Sequence, residues 1–282
     1  MPKILVIHGI SNQYGGEHEL HGAWFPAICD GLARAGNHGL PKPEDCACPF
    51  YGDLFRPLGS LSSSTLPRLT DLGPDEALLL EQIWMSAAAS ETSVPGPQEF
   101  EETLIWAPRV VERALASLAK SSYLANLVPF QFLGDLRQVV FYLNRSDIHT
   151  QILNRALKYI DQETRIVIGH SLGSVIAYEA LAARPDVTTD LLTLGSPLAI
   201  RNIVFDKLTP PPAAGSGVWP GQVRNWTNIA ATGDIVAAEK KLEPVFGPRV
   251  QDFVIDSGWD AHSSTRYLNT IQAGKAIARA LA

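Results

Sequence analysis

The chain has 282 residues, 46% of them apolar and 18% charged, and 23 lysines and arginines against 29 acids give a formal charge of −6. That balance excludes a fibrous or disordered protein, and without a long basic run it leaves no electrostatic footprint for nucleic acid or for docking on an anionic membrane. No run approaches the roughly 18 apolar residues of a membrane span, and the N-terminal apolar stretch is too short for a secretion signal. Cys29, Cys46 and Cys48 form a sparse, odd set that fits free thiols, so a cytoplasmic location is expected.

Three zones follow one another along the chain, with no internal repeats and no coiled-coil heptads. In the first, 1–52, the continuous apolar run Ile4 to Ile7 ends in His8-Gly9 and reads as a strand buried on both faces, as in a parallel sheet. A polar loop over 11–22, a helix over 23–35 ending near Gly36 and a short strand over 46–51 are predicted next. The second zone, 53–145, opens on a Leu/Ser/Pro-rich loop at 57–67. Pro74, Asp75 and Glu76 start a helix, with proline in its first position and acids in its first turn. Pro95-Gly96-Pro97 breaks the chain, and 98–120 reads as a helix striped by Phe100, Leu104, Ile105, Val111, Leu115 and Leu118, kinked or divided at Pro108. The stretch 123–143 is apolar and aromatic, interrupted by Pro129 and Gly134.

The third zone, 146–282, is predicted to hold a helix at 147–160, a buried strand at 165–168, a helix at 174–183, strands at 191–194, 223–230 and 251–255, and a closing helix at 264–281. A Pro/Gly/Ala loop occupies 209–221. Alternation of strand and helix in the outer zones predicts an α/β fold: one domain over 1–282 with a mostly parallel sheet, helices on both faces, and a core formed by 1–52 and 146–282. The middle zone, without a clear strand, reads as a helical cap inserted at 53–145.

Gly169-His170-Ser171-Leu172-Gly173 lies between the strand at 165–168 and the helix at 174–183, the setting that a G-x-S-x-G turn requires. A serine there occupies a sharp, strained turn in which neighbouring side chains would clash, so Gly169 and Gly173 leave room and Ser174 is small. Such a turn lifts the Ser171 hydroxyl above the sheet as a nucleophile. It also puts the Leu172 N–H at a helix N-terminus, where developing negative charge is favoured.

A triad in the chain order serine, acid, histidine needs a base after Ser171, and His262 is the only histidine there, in the turn after the last predicted strand. Asp234, directly after the 223–230 strand, is the favoured acid; Asp206, Asp252, Asp256 and Asp260 are rivals. Asp252 lies inside a strand pattern and Asp260 is close in sequence to His262, whereas Asp256, at the end of the last strand, competes most directly. The second donor for an oxyanion is assigned to the Ile10 N–H, with Gly9 allowing close approach and His8 orienting the loop.

His8-Gly9-Ile10, Gly169 to Gly173, Gly233-Asp234 and His262, spread over the outer two-thirds of the chain, make this sequence similar to the α/β-hydrolase superfamily. The resemblance implies the α/β-hydrolase fold and esterase, lipase, thioesterase or related acyl-transfer chemistry without a cofactor or metal. It implies a Ser171, Asp234, His262 triad with Ile10 and Leu172 as oxyanion donors, and a small-molecule or lipid-like acyl substrate. The chain departs from many members in opening directly on the His8-Gly9 strand and in carrying HGI in place of HGGG. Carboxylic ester hydrolysis is the leading expectation. Acyl transfer to another acceptor, thioester or peptide cleavage by the same triad, and an inert interaction protein are the alternatives.

Other constellations carry less. His18-Glu19-Leu20-His21 lacks the spacing of a zinc helix and reads as a polar loop near the site entrance. Cys46-Ala47-Cys48 on a strand would turn both thiols to one face as buried free cysteines. Trp84, Phe100, Trp106, Tyr123, Phe130, Phe132, Phe141 and Tyr142 are core of the insertion or line an acyl pocket.

Overall fold

A computed structural model describes residues 2–56, 72–97, 108–121, 129–256, 258 and 260–282. In chain order the elements are β1 (Ile4–Ile7), α1 (Glu17–Arg34), β2 (Cys46–Ala47), α2 (Pro74–Ser90), α3 (Pro108–Leu118), α4 (Pro129–Asn144), α5 (Ser146–Leu157), β3 (Ile166–His170), α6 (Leu172–Ala182), β4 (Thr188–Leu194), β5 (Gln222–Ala231), α7 (Glu243–Phe246), β6 (Val250–Ile255), α8 (Ser264–Leu268) and α9 (Ile271–Leu281). The six strands form one sheet in the order β2-β1-β3-β4-β5-β6, and every pair is parallel. Among the described residues no helix is long and apolar enough to cross a membrane.

The apolar runs of the central strands lack alternation because both faces of the sheet are covered. In β1, Leu5 and Ile7 enter one hydrophobic cluster with residues of α2 to α6, while Ile4 and Val6 enter a second with α1, α8 and α9. The described helices of the 53–145 zone therefore share a core with α5 and α6. The chain leaves β1 toward β2 on one side and reaches β3 on the other, so the crevice beyond the carboxyl ends of β1 and β3 is a topological switch point, where open α/β sheets bind ligands.

Several boundaries differ from the pattern reading. Helix α1 starts at Glu17, so His18 and His21 lie on a helix and not in a loop. Its N-terminal acids and the buried Leu20 and Trp24 extend the stripe backward, and the His21 ring stacks on Phe25 and bonds the Pro43 carbonyl. Strand β2 is only two residues long, yet Cys46 and Cys48 are both buried and hydrogen-bonded to each other. Pro108 is the first residue of α3, and Val111, Leu115 and Leu118 are buried there. Phe100, Leu104, Ile105, Trp106 and Tyr123 lie outside the described residues. Gly134 does not interrupt α4 but sits within it, with no atom near enough to crowd a side chain.

The closing helix is split, because the Thr270 side chain caps a new helix at the Ala273 N–H. The break lets α9 cross α1 at glycine: a Cβ on Gly274 would stand 1.9 Å from the Gly31 carbonyl oxygen. Backbones meet there with no side chain between them.

One buried polar knot ties α4, α5 and α6 together. Glu179 of α6 accepts from the Tyr142 hydroxyl, from His149 Nε2 at 2.8 Å and from the Thr209 N–H at 2.9 Å. The Glu179 hydrogen bond raises the His149 pKa above its ordinary 6.5 against the opposing effect of burial. A raised folded-state value stabilises the fold fully below the unfolded value, and that contribution disappears as pH climbs through the folded one. The difference in Tm between wild type and His149→Leu is therefore expected to be widest below about pH 6.5 and to narrow at higher pH. A gap independent of pH would show that His149 contributes no charge to the knot.

Candidate active site

Ser171 joins β3 to α6 at φ 54°, ψ −128°, a backbone conformation that costs a side-chain-bearing residue about 1–3 kcal/mol and persists only where its surroundings impose it. The surroundings are backbone. A Cβ on Gly173 would lie 2.1 Å from the Ile7 carbonyl oxygen, one on Gly169 2.5 Å from the Gly173 oxygen, and one on Gly9 2.7 Å from the Ser171 Cβ. The Ser171 N–H donates to Leu194 on β4 at 3.0 Å, and the Ser174 hydroxyl donates to the Ser171 carbonyl at 2.6 Å. The small residues of the motif thus let β1, β3 and α6 close on one point, and Leu172 is the first residue of α6, where N–H groups lack intrahelical acceptors.

His262 follows β6 and presents Nδ1 to Asp234 Oδ2 at 2.7 Å. Asp234 follows β5 and is fully buried. Its Oδ2 also accepts from the Tyr267 hydroxyl at 2.6 Å, and its Oδ1 accepts from the Val236 and Ala237 N–H groups at 3.0 and 3.2 Å. Burial alone would raise this carboxyl, but His262, Tyr267 and Lys240 outweigh it and hold the group down at about 2. A permanently ionised carboxylate on Nδ1 fixes the imidazole tautomer with Nε2 as the basic nitrogen. Gly195 makes the approach possible, since a Cβ there would stand 2.6 Å from Asp234 Oδ2 and 3.0 Å from His262 Nδ1.

The rival acids make other contacts, although Asp260 lies on the cavity that Ser171 and His262 line. Asp256 is exposed and accepts from the Gly258 N–H, Asp206 accepts from the Asn202 N–H, Asp252 ties β6 to Asn228, Leu242 and Glu243, and Asp260 pairs with Arg266.

The loop after β1 is held by its own polar groups. His8 is buried, and burial lowers its pKa to about 4, so the ring is neutral. One tautomer satisfies both nitrogens: Nδ1–H donates to the Gly9 carbonyl at 2.6 Å and Nε2 accepts from the Tyr51 N–H at 3.3 Å. Asn12 donates to the Ile10 and Gly9 carbonyls at 2.8 and 3.2 Å, closing a turn around Ser11, which has a left-handed φ of 66°.

Ser171, His262, Ile10 and Leu172 line one cavity of about 310 Å³ at the switch point. The wall contributed by α2 (Leu79, Ile83) and α4 (Phe132, Leu136, Val139) is apolar apart from Asp135. Of the aromatics of the middle zone, Phe132 faces this cavity, whereas Trp84 and Tyr142 are core and Phe141 is exposed.

Two residues that the sequence reading passed over join the site. His170, within the serine motif itself, is kept neutral by burial and by the neighbouring His262, at about 3, and bonds the His262 carbonyl through Nε2 at 2.7 Å. It ties the histidine loop to the serine turn. Asp135 of α4 lines the cavity and is 8% exposed. Burial pushes it up to about 6 although Ser11 and His262 pull the other way. The sequence signal for it was an acid on the Phe132, Leu136 and Val139 face of an amphipathic helix.

Ser171 on its strained turn and the buried Asp234–His262 pair thus share one cavity, with the first N–H groups of α6 next to the serine. No protein-family model, curated protein or solved structure matches this chain significantly.

Proposed function

We propose that this chain is a serine hydrolase of the α/β-hydrolase type that cleaves carboxylic esters with an apolar acyl or alcohol part. The observation that carries the reading is the meeting, at one cavity, of Ser171 in its strained turn with a His262 whose Nδ1 is held by buried Asp234. The sheet order and its switch point support the fold-level assignment, with α2 to α4 as the cap over the site.

In this mechanism His262 Nε2 takes the Ser171 proton as Oγ attacks the acyl carbon. The N–H groups of Ile10 and Leu172 hold the oxyanion. Collapse breaks the bond to the alcohol, which leaves with the proton from His262. Water then loses a proton to His262 and attacks the acyl-enzyme, and release of the acid returns the proton to Ser171. Three cysteines without disulfides fit a reducing compartment.

A fluorophosphonate probe is expected to label wild type and to leave Ser171→Ala unlabelled, with p-nitrophenyl ester turnover falling by about a thousandfold or more. Equal labelling of both proteins would overturn the assignment. Product analysis with an added alcohol separates hydrolysis from acyl transfer.

A further inference from the structure

We propose that Asp135 is a substrate-binding carboxylate that selects esters bearing an ammonium group, an inference that rests on the serine hydrolase reading. The wall that α2 and α4 present to the cavity is otherwise built from Leu79, Ile83, Phe132, Leu136 and Val139, and Asp135 faces that same cavity with Ser171 and His262. A carboxyl buried to 8% exposure in such a wall is costly unless paired.

Among the described residues its hydrogen-bond partners are neutral side chains. Ser11 donates a hydroxyl, and Gln138 Nε2 lies 3.3 Å from Oδ1. A carboxylate offers about four acceptor positions, so this pairing leaves capacity for a further donor. Gln138 adds to the demand: its Nε2 is shared between Asp135 and Gln13, and its buried Oε1 has no hydrogen-bond partner among the described residues. The acceptor capacity that Asp135 keeps on the cavity side suits a group that only donates and carries positive charge. An ammonium has that chemistry, and the surrounding apolar residues suit the methylenes attached to it.

The test compares two nearly isosteric esters, one ending in a protonated dimethylamino group and the other in isopropyl, assayed at roughly pH 8, where an ordinary aliphatic amine keeps its proton. Wild type is expected to prefer the cationic ester. In Asp135→Asn the cationic-to-neutral ratio of kcat/KM is expected to fall at least about tenfold, and Gln138→Met to lower it less. The ratio cancels any general loss of activity or folding. If Asp135 served only to hold Ser11, both esters would suffer equally, and an unchanged ratio overturns the inference.

Calorimetric titration with hexylammonium and with hexanol separates this inference from the parent reading, because it needs no turnover. Hexylammonium binding that is preferred over hexanol and lost in Asp135→Asn supports the site even if no ester is cleaved. Ester cleavage without that preference removes the site and leaves the hydrolase reading intact.

Discussion

Asp234→Asn is expected to lower kcat/KM for ester cleavage by roughly ten-thousandfold while leaving the protein folded. The two carboxylate oxygens have different duties. Oδ1 accepts from the Val236 and Ala237 N–H groups, so an asparagine oxygen settles there and its Nδ2 takes the place of Oδ2. The Nδ2 donor then faces His262 Nδ1, which has to become an acceptor. The ring proton moves to Nε2, the nitrogen that should receive the Ser171 proton, and the base is lost without a change of shape. The Tyr267 hydroxyl, 2.6 Å from Oδ2, can rotate and accept from the new amide, so the fold keeps its hydrogen bond. Asp256→Asn is the matched control. Its side chain is exposed and bonds only the local Gly258 N–H among the described contacts, so activity within about twofold of wild type is expected. The opposite pattern, a large loss at position 256 and little at 234, would move the acid and dismantle the proposed mechanism.

Gly173→Ala is expected to cost about 3 kcal/mol of stability and most of the activity. The added methyl would meet the Ile7 and His8 carbonyl oxygens at 2.1 and 2.4 Å, and these are backbone atoms at the end of β1, where Ile7 pairs with Gly169 of β3. The end of β1 cannot yield easily, so α6 must move outward and carry Ser171 away from Gly9 and the loop after β1. For a domain of this size the cost corresponds to a fall in Tm of about 5 °C, read by thermal denaturation. Gly22→Ala separates this steric effect from the helix propensity of glycine. Gly22 lies in α1 with no atom within 4 Å of a Cβ, so alanine there is expected to stabilise by about 0.5–1 kcal/mol. A Gly173→Ala protein with wild-type Tm would mean that β1 and α6 do not abut as described.

The features readable from sequence alone were those imposed by local backbone sterics and by burial on two faces. Gly169 is required locally, because a Cβ there would meet the Gly173 and Ser174 backbone, whereas Gly173 makes room for the end of β1, and the unalternating runs of β1 and β3 follow from a sheet covered on both sides. His262 could be named because no other histidine follows Ser171. The choice among acids had no such local mark. Asp234 and Asp256 both follow strands, and only the packing of β5 beside β6, with Tyr267 beneath, buries one against His262 and leaves the other in solvent. The split of the last helix at Thr270 was hidden for the same kind of reason: it serves the crossing of Gly274 over Gly31, more than 200 residues earlier. Asp135 is the clearest case. Its sequence shows an acid on an apolar helix face and nothing more, because what gives it a role is the docking of α4 over the loop after β1, where Ser11 lies. The serine turn is marked by five consecutive residues, whereas the pairing of Asp234 with His262 and the place of Asp135 in the cavity wall depend on contacts between elements far apart in the chain, which only the packed structure brings together.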